Sequence, residues 1–298
     1  MQKGLSSGKA AMAAVLAGGS LSAAAGGHYI AGVEGVQAAT VPPPGIYYLG
    51  YLVDYNIDEL RAPGTSSSLP GRNTGTVVAL ANRLTLITGH RFLGADYGVE
   101  AVVPVVRTSL SFQAASISES RSGVGDIYLS PAVLGWHGTR WDAVASAGVW
   151  LDSGASNSPA APGKGFRSTM LTAGATYYFD QQKSWSASAL MRYEINSRRE
   201  DGFRPGDQLS LEWGVGKGLG PVLLGLVGYS QWQTSNDSGT GASGNRSARH
   251  ALGGEVTYPL MSAGVILKAA AYKEFMSRAG TAPEPKGTLV RFTFIKAF

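Results

Sequence analysis

The 298-residue sequence has no cysteine, which excludes a disulfide framework and any thiolate metal site. Charge is scarce as well: 15% of residues are Asp, Glu, Lys or Arg, against about 25% in an ordinary soluble domain. The net charge of +5 is spread along the chain without a basic run or arm, so no nucleic-acid partner is expected. No segment offers 18 or more consecutive apolar residues, which rules out a helical membrane span. Helical periodicity is nearly absent after residue 45. Neither H-E-x-x-H nor a phosphate-binding loop occurs, and the G-x-S-x-G at residues 4–8 falls in a leader-like stretch, so no cofactor and no catalytic motif is expected.

What the sequence does have is glycine, 41 residues of it, and alternation with period two. Leu93, Ala95, Tyr97, Val99, Ala101 and Val103 oppose Gly94, Asp96, Gly98 and Glu100. Trp185, Ala187, Ala189, Met191, Tyr193 and Ile195 oppose Ser186, Ser188, Arg192, Glu194 and Asn196. Such patterns mark strands with one apolar face. The count predicts about twelve, near 46–57, 74–88, 92–104, 124–136, 141–152, 166–179, 185–196, 207–217, 222–233, 248–258, 263–276 and 288–298. Pro131 has no amide hydrogen for the ladder, so a bulge is expected around it.

The predicted connections run long, short, long, short along the chain. Long polar loops on one side with tight turns on the other are the pattern of an outer-membrane barrel. A soluble β-sandwich, the competing all-β reading, gives no reason for that regularity. The expected fold is therefore a transmembrane antiparallel β-barrel of about twelve strands, with its apolar face toward outer-membrane lipid. Tyr47, Leu49, Tyr51, Val53 and Tyr55 of the first strand are placed on that lipid face. Tyr47, Tyr55, Trp141, Tyr177, Phe179, Trp185, Trp213, Trp232, Tyr258 and Phe275 are expected in the interfacial girdles. The last strand puts Val290, Phe292, Phe294 and Phe298 in one parity, and the terminal aromatic is read as a signal for the barrel-assembly machinery.

The expected organisation is a signal peptide at 1–25, an N-terminal Pro/Gly segment at 26–45 and the barrel at 46–298. Lys3 and Lys9 supply a basic start, Ala10 to Gly19 an apolar stretch, and Ala23-Ala24-Ala25 a cleavage site. Three prolines, Pro42 to Pro44, make a stiff approach to the first strand. The glycine-rich segment before them is expected to pack in the periplasmic mouth and narrow the pore, with His28, Tyr29 and Glu34 as constriction residues. Parity assigns Asp54, Arg83, Asp96, Glu100, Asp126, Asp142, Arg192, Glu194, Glu212, Glu255, Lys268 and Glu274 to the lumen, since a charge on the lipid face costs about 2–4 kcal/mol at the midplane. These charges are read either as a lining that selects permeants or as ion pairs that stiffen the wall.

Several stretches resemble a family of Gram-negative outer-membrane proteins associated with the meta-pathway of phenol degradation. They are His28-Tyr29 with Gly32 and Gly35, Pro42-Pro43-Pro44-Gly45 leading to Tyr47, and Gly123-Val124-Gly125-Asp126 with Pro131 and Leu134 to His137. Arg204-Pro205-Gly206-Asp207, Gly228-Tyr229 with Gln233 and Asp237, and Tyr272-Lys273-Glu274-Phe275 complete the set. The resemblance implies a twelve-stranded outer-membrane channel, without enzymatic activity, for passive uptake of small hydrophobic or aromatic compounds. Lys296, in the apolar parity of the last strand, departs from the pattern. Two other readings stay open: a structural or adhesive barrel acting through its outer loops, and an embedded hydrolase using His250 with Ser243 or Ser247.

Overall fold

The computed structural model describes residues 26–298. The expected leader and its cleavage site, 1–25, lie outside the described residues. The strands are β1 Gly45–Arg61, β2 Asn73–Phe92, β3 Ala95–Phe112, β4 Ile117–Val124, β5 Tyr128–His137, β6 Trp141–Trp150 and β7 Ser168–Tyr178. They continue as β8 Trp185–Asn196, β9 Gln208–Leu219, β10 Val222–Gln233, β11 Ala248–Leu260, β12 Val265–Arg278 and β13 Glu284–Ala297. Sequential neighbours pair antiparallel from β5 round to β13, β13 pairs with β1, and β3 joins β2 to β5. The sheet is thus a closed twelve-stranded barrel with one extra strand, and closure leaves the wall no free edge to protect.

The extra strand is β4. The outer half of β3, Val105 to Phe112, pairs with β4, and its inner half, Asp96 to Val102, with β5. β4 and β5 act as one wall strand broken at residues 125–127. The stretch 105–123, expected as an outer loop, is instead a hairpin that carries β3 beyond the membrane. Its outward side chains, Arg107, Ser109 and Ser111, are exposed, while Thr108, Leu110 and Phe112 are buried. A strand whose outer face meets water has a polar face, and here that polarity reads as a loop. At Pro131 the pairing slips on both sides, between Leu129 and Ala132 against β6 and between Gly98 and Glu100 against β3, so the missing donor is absorbed in a bulge.

The alternation of long and short connections places the ends. The tight turns at 93–94, 138–140, 179–184, 220–221 and 261–264 lie on the periplasmic side, and the longer loops, such as 151–167 and 234–247, lie outside. Exposed apolar side chains, including Leu52, Leu80, Val103, Met191, Leu226, Phe292 and Phe294, make the lipid-facing band. Trp141, Tyr177, Phe179, Trp185 and Tyr258 are exposed on its periplasmic flank.

The first strand inverts the expected parity. Tyr51, Val53, Tyr55 and Ile57 are buried toward the lumen, and Leu52 faces out. Asp54 shares the outward face, where Asn56 donates to its Oδ1 at 2.8 Å; it does not line the lumen. Tyr47 and Tyr55 therefore belong to no girdle: Tyr47 packs at the inner mouth beside Val41, Ile87 and Val133, and the Tyr55 hydroxyl donates to Glu274. Beyond Asp54 the outward face of β1 is polar, with Asn56 and Asp58, and the apolar chamber lies in front of Val53 and Ile57.

Candidate functional site

Residues 26–44 contain no helix or strand. A lone segment of this kind must find partners for its amides inside the barrel, because buried unpaired backbone groups are costly. It finds them on inward side chains of the wall. The segment runs up the lumen from Thr40, which donates to Asp142 near the periplasmic end, to Gly26, whose carbonyl accepts from Asn196 at the outer end of β8. It thus extends past the periplasmic mouth into the outer half of the barrel.

Three wall carboxylates hold the segment by its main chain. Glu194 accepts from the amides of His28 and Tyr29 at 2.8 and 3.2 Å. Glu212 accepts from the Glu34 amide at 3.1 Å and from the Tyr29 hydroxyl. Glu255 accepts from the Val36 amide at 3.2 Å. Two wall cations take carbonyls in return: Lys268 donates to those of Glu34 and Val36 at 2.7 and 3.2 Å, and Arg291 to that of Val33. Arg291 also pairs with Glu255. Glycines on both sides permit the close approach. Gly35 has φ +72°, and a Cβ there would collide with the Glu255 carboxylate; a Cβ on Gly214 of the wall would lie 3.0 Å from the Val36 Cα.

Side chains of the segment complete the lock. The Glu34 carboxylate accepts from Arg192 at 2.7 Å and Arg83 at 3.1 Å. Burial alone would raise its pKa, but the two guanidiniums hold it down at about 2. Arg83 also donates to Glu100 at 2.8 Å and Tyr51 at 3.3 Å, and the Arg192 guanidinium sits 4.1 Å from the Tyr29 ring centre. Arg192 and Glu194, both on the inward face of β8, bind different parts of the plug: Arg192 the Glu34 carboxylate and Glu194 the His28 and Tyr29 amides.

The remaining predicted lumen residues also lie inside. Asp96, near the periplasmic end, takes Arg91 at 3.1 Å, and Asp142 takes Tyr178 at 2.7 Å and His137 at 2.9 Å. Asp126 turns in at the β4–β5 break and accepts from the amides of Ser153, Gly154 and Lys164, which ties down the 151–167 loop. Glu274 accepts from Tyr55, Tyr229 and the Gly287 amide. Sequence reasoning missed Arg291, Arg249 and Glu284. Arg249 bridges Glu274 and Glu284. Arg291 lies in the parity opposite Val290 and Phe292, and Arg249 in the parity of Glu255, so the alternation that found the others could have found both. Glu284 lies ahead of the predicted start of its strand, where no alternation pointed to it.

Above the plug is a cavity of about 250 Å³. Its walls are chiefly apolar: Val53, Ile57 and Leu60 of β1, Val77, Ala79 and Ala81 of β2, Val102, Leu110 and Phe112 of β3, then Tyr128, Trp150, Met170 and Leu289. Its floor is the plug, with Tyr29, Ile30, Val33 and Glu34, and the Arg83–Glu100 pair at the margin. By contrast, the ring of His250 meets Ser230, Trp232 and Phe275 on the outward face, not Ser243 or Ser247, and none of these three can orient and charge a catalytic histidine.

A family model described as "Putative MetA-pathway of phenol degradation" matches residues 57–292. Among solved structures the chain is similar to an outer-membrane channel from Pseudomonas putida F1, at 14% identity and a TM-score of 0.76, covering 91% of this chain and 100% of that one. It is also similar, at 14% identity and a TM-score of 0.47, to the β domain of the Bordetella autotransporter BrkA, covering 86% and 100%. No curated protein matches the chain by sequence.

Proposed function

Since the chain belongs to this phenol-degradation family, and since an apolar chamber stands on a plugged lumen, we propose that it is an outer-membrane channel for passive uptake of small hydrophobic or aromatic compounds. The observation that carries the reading is the chamber: chiefly apolar walls beside the plug, with charged groups such as Arg83, Glu100 and Arg192 at the margin. A cavity of about 150 Å³ accommodates benzene, so 250 Å³ suits one substituted ring. Burying roughly 150 Å² of aromatic surface at about 25 cal/mol per Å² favours transfer by ~4 kcal/mol. That corresponds to millimolar affinity at best, weak enough for a permeant to leave again.

The plug narrows the route below the chamber, and His28, Tyr29 and Glu34 hold it to the wall. The inward carboxylates, among them Asp126, Glu194, Glu212 and Glu274, are engaged by amides and hydroxyls. The surrounding partners on this reading are outer-membrane lipid along the exposed apolar band and, during biogenesis, the barrel-assembly machinery at Phe298.

Uptake of labelled phenols, alkylbenzenes, aromatic acids and alkanes by cells with and without the gene tests the reading. Neutral aromatics should enter faster when the gene is present. Equal uptake of every compound in the two strains would remove the proposal.

A further inference from the structure

We infer that His28 is an imidazolium, doubly protonated near neutral pH, and that it is the positioning residue that fixes the outer end of the plug and the end wall of the chamber. The inference follows from where each proton must go, and it does not depend on what permeates. His28 Nε2 lies 3.1 Å from the Phe166 carbonyl oxygen, which can only accept. Nε2 therefore carries a hydrogen. Nδ1 lies 2.9 Å from the Ser168 hydroxyl oxygen, and that hydroxyl has one hydrogen to give.

The hydroxyl hydrogen is already committed. Ser168 Oγ stands 2.7 Å from Asn196 Oδ1, while Asn196 Nδ2 stands 2.8 Å from both the Gly26 and Gly206 carbonyl oxygens. Those two carbonyls demand a donor, so the amide of Asn196 cannot be turned round, and its oxygen must accept from Ser168. Nδ1 must then donate to Ser168. A neutral ring would set its lone pair against that of the hydroxyl.

The surroundings suit a cation. Asp126 Oδ2 lies 3.3 Å from Nε2, at the β4–β5 break, and Glu194 Oε1 lies 3.7 Å from Nδ1, on β8. Lys164, on the loop between β6 and β7, opposes them, and Asp152 on the same loop lies on their side; β7 presents the uncharged Ser168. Burial disfavours the charged ring, yet Asp126 and Glu194 raise its pKa above the ordinary histidine value. The ring also stacks on the Trp150 indole, with centres 5.5 Å apart and planes 9° from parallel, an arrangement that favours a cation over a neutral ring. Both rings line the chamber.

The sign of the pH effect follows. A group whose pKa is raised on folding contributes its full stabilisation below its ordinary value, about 6.5 for histidine, and loses it as pH rises through the folded value. The outer end of the plug is therefore clamped at low pH and loosens as pH rises through the folded value of His28.

The test uses the full chain in lipid nanodiscs with ¹⁵N-labelled histidine. Four histidines are present, and the His28 signals are those lost in His28→Gln. Near neutral pH both ring nitrogens of His28 should resonate as protonated nitrogens; one pyridine-type nitrogen would overturn the inference. Should His28→Gln fail to fold, Ser168→Ala removes the Nδ1 acceptor and should lower the proton affinity of His28 about tenfold or more. An unchanged midpoint would overturn it. In planar bilayers the native channel's current should rise as pH passes through the same midpoint, and a current indifferent to that midpoint would contradict the clamp.

Discussion

Glu34 is where plug and wall meet through paired charges, since its carboxylate faces both Arg83 and Arg192. Replacing it by Gln keeps the shape but leaves two buried guanidiniums short of a counter-charge, and breaking a buried pair costs roughly 3–5 kcal/mol. Arg83 keeps Glu100, so the lower end of that range applies. Glu34→Gln should give larger single-channel currents than the native chain; indistinguishable currents would show that the plug does not limit the pore. The pH dependence has the sign opposite to that of His28. The Glu34 carboxyl is held at about 2, so its contribution is complete above the ordinary value of 4.5 and is lost as pH falls toward 2. Single residues were legible in the sequence where the alternation was clean, as at Arg192, Glu194 and Glu212. Asp54 is not legible from parity, because on β1 the apolar face that points to lipid on other strands points to the chamber, which leaves Asp54 on the outside.

Among the elements, β8 and β9 were legible because a lipid face and a polar lumen face make opposite demands on alternate residues. β1 was not, because its outer half has a polar outward face and the apolar chamber inside, which turns that rule round. The β3–β4 hairpin was hidden for the same reason. The plug segment has no periodicity at all, and its hold on the wall depends on wall groups far apart in sequence, Glu194, Glu212, Glu255, Lys268 and Arg291. β13 closes the barrel on β1, and the Phe298 amide donates to the Ile46 carbonyl at 3.0 Å while its ring is exposed. Deleting Phe298 should lower the amount of heat-modifiable barrel in the outer membrane severalfold and leave the selectivity of each assembled channel unchanged. Normal assembly with altered selectivity would assign the residue to the pore instead. Lys296 donates to the Ala263 carbonyl in the neighbouring periplasmic turn, so its charge reaches the rim instead of lipid.

For the whole molecule, the arrangement divides the lumen in two. A segment pinned through buried charges runs up one side from the periplasmic mouth to the outer end of β8, and a chiefly apolar chamber lies between that segment and β1, β2 and β3. The chamber is the part the sequence did not disclose, because it is assembled from runs of inward residues on β1, β2 and β3 together with single residues of other strands and of the plug. Ala81 of β2 lines it, and Ala81→Trp would fill much of its volume while leaving the plug's own sequence unchanged. The most direct measurement is the uptake rate of a small neutral aromatic, such as labelled toluene or phenol, by cells carrying the native chain or Ala81→Trp at equal levels of heat-modifiable barrel. A chamber on the permeation route predicts a fall of about tenfold or more, the factor that corresponds to ~1.4 kcal/mol. Undiminished uptake through the filled chamber would contradict it.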